Sequence, residues 1–98
     1  MNKLPNHASF NVKDKPSTES QDILIQSNEI GLLHGSAEVG AEFDVIIEDV
    51  AGNPQLKKTF KSESGRFGER IDLGLPDDQY KVRLENVKGT KKVDLFFE

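Results

Sequence analysis

The 98 residues suffice for one domain with a buried core and not for two. Thirteen basic side chains are scattered among seventeen acidic ones, for a formal net charge of -4, so the clustered positive field that a nucleic-acid backbone requires is missing. There is no cysteine, which excludes a disulfide framework and a thiolate metal site, and no apolar run approaches the ~20 residues of a bilayer-spanning helix.

Residues 1–10 lack the apolar core of a secretory leader, leaving open both an exported protein whose signal lies elsewhere and a cytoplasmic one. Residues 1–7 are expected to form a flexible tail, with a single domain over residues 8–98. Ala8, Phe10 and Val12 then alternate with Ser9, Asn11 and Lys13, the period-two pattern of an edge strand. The run Ser17, Thr18, Glu19, Ser20, Gln21 reads as a loop. A second strand, apolar on both faces at its centre, covers residues 22–26, followed by a turn at 27–29. In residues 30–35 the flanking Gly31 and Gly35 disfavour a helical turn, and the segment is expected to be an irregular strand or bulge.

The clearest strand is residues 42–49, with Phe43, Val45 and Ile47 on one face and Asp44, Ile46 and Glu48 on the other, as a sheet wetted on one side requires. Gly52 and Pro54 end it. The chain returns through residues 56–60, where Lys58 shares the parity of Leu56 and Phe60 and lays its stem along the core edge. After a turn at 62–65, Phe67, Ile71 and Leu73 share one face, Glu69 falls on the same parity, and Gly68 marks a bulge. Leu75 and Pro76 with Asp77 and Asp78 form a tight turn. Tyr80, Val82 and Leu84 then alternate against Lys81, Arg83 and Glu85, and Val93, Leu95 and Phe97 point inward from the last strand, residues 92–97. The small basic cluster Lys88, Lys91 and Lys92 is a solvated turn. Short strands separated by regular turns predict an all-β, antiparallel β-sandwich of seven or eight strands.

Residues 40–84 resemble a family. Gly40-Ala41-Glu42-Phe43 opening a strand, the Gly52-Asn53 turn, Ser64-Gly65-Arg66-Phe67, and Leu75-Pro76 ahead of Tyr80-Lys81-Val82 are similar to prealbumin-like sandwich domains of bacterial surface proteins. These include the collagen-adhesin B-type repeats and the carboxypeptidase regulatory-like domains. Asp78 stands where that family usually has glycine, and an immunoglobulin-like sandwich produces the same spacing. The resemblance implies a surface or secreted setting and, in some members, an internal Lys-to-Asn bond promoted by a buried acid. Lys13, Glu85 and Asp94 are the nearest counterparts here, but Glu85 and Asp94 fall on the outward parity.

For chemistry, His7 and His34 are isolated in sequence. His7 falls in the expected tail. His34, beside Leu32 and Leu33, would need a carboxylate to act as a base and otherwise reads as a loop residue. No serine sits in a nucleophile elbow, and no glycine-rich loop precedes a helix. No enzyme and no cofactor are expected. The acidic pairs Glu48-Asp49 and Asp77-Asp78 lie at strand ends where two loops could converge on calcium, although hydrated turn acids explain them equally well. Phe96, opposite in parity to Phe97, is the candidate contact with another domain or chain, against the alternative that it packs under the N-terminal segment. The reading is a non-catalytic binding or spacer module of a bacterial surface or secreted protein, contacting protein or carbohydrate. The alternative is a small intracellular or phage-derived assembly protein.

Overall fold

A computed structural model of the chain describes residues 6–13, 15–26, 31–72, 76 and 78–98. Eight strands follow one another, with no helix among the described residues: β1 (His7–Asn11), β2 (Gln21–Ile25), β3 (Gly31–Ala37), β4 (Ala41–Glu48), β5 (Pro54–Ser62), β6 (Arg66–Ile71), β7 (Asp78–Lys88) and β8 (Lys92–Phe97). They form two antiparallel sheets of four, sheet A in the order β1-β8-β3-β6 and sheet B in the order β2-β7-β4-β5.

The pairing has a simple origin. β1 pairs with β8, β2 with β7, β3 with β6 and β4 with β5, as in one long hairpin folded about the turn after β4. Winding that hairpin sets β3 beside β8 and β4 beside β7. Apart from the β4–β5 hairpin, every connection therefore passes from one sheet to the other. This is the strand order of a jelly roll, different from the A-B-E-D over C-F-G order of an immunoglobulin domain.

Alternation decides which side chains enter the space between the sheets. Ala8 and Phe10 of β1, Ile23 and Ile25 of β2, Phe43, Val45 and Ile47 of β4, Tyr80, Val82 and Leu84 of β7, and Val93, Leu95 and Phe97 of β8 are all buried there. Each large aliphatic among them contributes about 1.5–3 kcal/mol relative to exposure. Phe67 packs edge-on against Phe43 at a centroid distance of 4.9 Å and lies 5.1 Å from Phe60. The Tyr80 hydroxyl donates to the Pro76 carbonyl at 3.0 Å, closing the approach to β7.

Turn chemistry matches the sequence at Gly52 and Gly65, whose φ values of 90° and 86° are strained for residues with a side chain. Elsewhere the structure differs from expectation. Residues 31–35 belong to a regular, central strand rather than an irregular one, because β6 and β8 pair with β3 on both sides. β7 runs on to Lys88 rather than ending before Asn86, which adopts a φ of 52° where the β4–β7 register shifts. β1 begins at His7, and Asn6 exchanges hydrogen bonds with Phe97 at 2.9 Å, so strand pairing starts before residue 8. The turn at 27–29, Leu73, Leu75 and Asp77 lie outside the described residues.

The inward-parity charges Lys58 and Glu69 find each other. They sit on the edge strands β5 and β6 of opposite sheets, and their 2.6 Å ion pair spans the open side of the sandwich. Inward-pointing charges on edge strands discourage pairing with another chain.

Candidate functional site

The two outer faces differ in kind. On sheet B, acids and bases of neighbouring strands neutralise one another. Lys81 lies 3.4 Å from Asp22, the Arg83 Nε lies 3.3 Å from a Glu48 oxygen, and Arg83 also pairs with Glu85. The Glu85 contact, then Glu48, hold the Arg83 guanidinium above its ordinary pKa. The Asp44 carboxylate accepts from the Thr59 hydroxyl at 2.5 Å and from Asn86 Nδ2 at 2.8 Å. With Lys57 3.9 Å away, these hydrogen bonds keep it below the usual carboxylate range. Between these charges Ile46, of outward parity, is only 3% exposed.

Sheet A instead carries a row of rings. The register sets His7 of β1 beside Phe96 of β8, and Phe96 beside His34 of β3. The His7 and Phe96 rings stack with centroids 4.3 Å apart and planes 6° apart; His34 stacks on the other face of Phe96 at 5.3 Å and 16°. Strand spacing of about 4.8 Å brings rings at one level into such contact. His7 Nε2 lies 3.5 Å from Asp94 Oδ1, and His34 Nε2 lies 3.4 Å from Glu98 Oε2. Both nitrogens are shielded from solvent without a hydrogen bond.

Phe96 is half-buried, with His7 of the N-terminal segment stacked on one face and His34 of β3 on the other. His7 is a strand residue and not part of a tail, and His34 is a strand residue and not a loop residue. Outward parity was read for Phe96 alone; the grouping of the three depends on pairings between segments far apart in sequence.

The acids considered for calcium are otherwise engaged. Glu48 faces Arg83, and the Ser20 hydroxyl donates to it at 3.4 Å. Asp49 accepts from the Asn53 and Ala51 amides at 2.9 and 3.0 Å, and the backbone bond from Asn53, first among these, holds its carboxyl below the usual range. Asp78 is exposed and accepts from the Gln79 amide, while Asp77 lies outside the described residues. Among the described residues no three histidines or acids gather as a metal site, and no helix is long and apolar enough to cross a membrane.

The Lys-to-Asn bond has no assembled counterpart. Lys13 is exposed after β1, Glu85 pairs with Arg83 on sheet B, and Asp94 faces His7 on sheet A. No protein-family model matches this chain, and no curated protein matches it in sequence.

Proposed function

We propose that this jelly roll is a non-catalytic binding module that meets its partner, protein or carbohydrate, through the outer face of sheet A. A fold of this kind hosts many activities, so the reading rests on one observation: the stacked ring row His7–Phe96–His34 on the outer face of sheet A. Half-buried aromatics with polar edges are the side chains that anchor contacts. Sheet B, whose Asp22, Asp44, Glu48 and Glu85 are already paired with bases, offers a partner little beyond what water offers at those positions. A bacterial surface or secreted setting belongs to the same proposal and is supported by the likeness of residues 40–84 to prealbumin-like surface domains.

The test is a glycan and protein-partner screen run in parallel with the wild type, Phe96→Ser and Lys61→Gln, the last on the outer face of sheet B. Partners of the wild type should be kept by Lys61→Gln and lost by Phe96→Ser while Phe96→Ser remains folded by circular dichroism. Partners that survive Phe96→Ser and vanish with Lys61→Gln would move the binding face to sheet B.

A further inference from the structure

We propose that the place above Gly68 on sheet A receives a carboxylate-bearing sugar ring, a uronate of an acidic polysaccharide. The inference rests on the binding-module reading and names its ligand class. The ring row continues in register from His34 to Gly68 of β6, where the fourth position bears only hydrogen. A Cβ on Gly68 would stand 2.8 Å from the His34 Cβ, so glycine lets His34 approach β6 closely and leaves the space above it open; Gly68 itself is exposed. One face of the His34 ring is covered by Phe96. The other face borders the space over Gly68, one strand spacing away.

Three polar residues flank that position in register, with two carboxylates farther off on the same face, Asp94 opposite Ser36 and Glu98 at 3.4 Å from His34 Nε2. Arg66 and Arg70 lie two residues to either side of Gly68 on the same face of β6, about 13 Å apart along the strand, and both are exposed. Their side chains are long enough to lean back over the glycine. Ser36 of β3, opposite Arg66 in register, is exposed beside His34. Among the described residues none of these three has a hydrogen bond or ion pair. The chain has three arginines; the third, Arg83, is engaged on sheet B.

This set matches a uronate piece by piece. A pyranose has a flat C–H face, which fits the free face of an imidazole. Its hydroxyl rim fits Ser36, and its carboxylate fits the planar fork of a guanidinium, which binds carboxylates bidentately. A neutral sugar would leave the two arginines unused.

Trigalacturonate titrated into the ¹⁵N-labelled protein at low salt tests this, with its fully methyl-esterified form as the neutral control. Shifts are expected at Gly68, His34 and Ser36, with binding of the ester weakened by about tenfold or more. Arg66→Gln/Arg70→Gln should lose the acid's affinity by a similar factor without a change in melting midpoint, and Lys61→Gln/Lys88→Gln on sheet B should keep it. No binding at millimolar trigalacturonate, or affinity kept by the double arginine variant, overturns the inference. Equal binding of acid and ester with shifts around Phe96 refutes the uronate while sparing the binding face. Shifts confined to sheet B refute both.

Discussion

Gly35→Ala is the sharpest test of the packing described here. Gly35 lies at the centre of β3, between Phe67 of β6 and Leu95 of β8, with its α-carbon turned toward the core. A Cβ there would stand 1.9 Å from the Asp94 carbonyl oxygen and 2.8 Å from Phe67 Cζ. The ring can tilt, but the carbonyl belongs to a strand held on its far side by β1. Relief therefore requires β3 and β8 to part locally. Overpacking of this kind costs about 1–3 kcal/mol, and a disturbed ladder hydrogen bond adds about 1 kcal/mol. A loss of about 3 kcal/mol would lower the midpoint of a domain this size by about 12–24 °C. Thermal melts followed by circular dichroism, with urea unfolding as a second measure, read it directly. Phe67→Leu should fail to rescue Gly35→Ala, since the closest clash is with backbone. A Gly35→Ala midpoint within about 4 °C of wild type, or full rescue by Phe67→Leu, would mean that β3 and β8 need not part to admit the methyl group.

Two further outcomes are expected. The lowered pKa of Asp44 means that its ionised form is favoured by folding; this contribution is complete above the unfolded value of about 3.9 and is lost as pH falls through the lower folded value. The stability difference between wild type and Asp44→Asn should accordingly be largest near neutrality and shrink as urea unfolding is repeated toward pH 2, and a difference that is flat with pH would contradict the hydrogen-bonding account. Calcium should leave the melting midpoint unchanged, because Glu48 and Asp49 are held by Arg83 and by the 49–53 turn; a rise on titration would reveal a site.

What the residues determined by themselves is local. Steric alternation along a strand is a property of the backbone, so Phe43, Val45 and Ile47, or Tyr80, Val82 and Leu84, declared their common face without knowledge of any partner. Gly52 and Gly65 likewise marked their turns through backbone conformation alone. Who lies beside whom is set by the winding of the whole chain. Because the chain is wound as a rolled hairpin, consecutive strands face each other across the core, and pairing joins segments as distant as His7 and Phe96. Lys58 and Glu69 were each anomalous in their own strands and became intelligible only as a pair spanning the open edge. The candidate site follows the same logic. Its members, His7, His34, Phe96 and Gly68, come from four strands and share no local motif; only the register of sheet A sets them in one row.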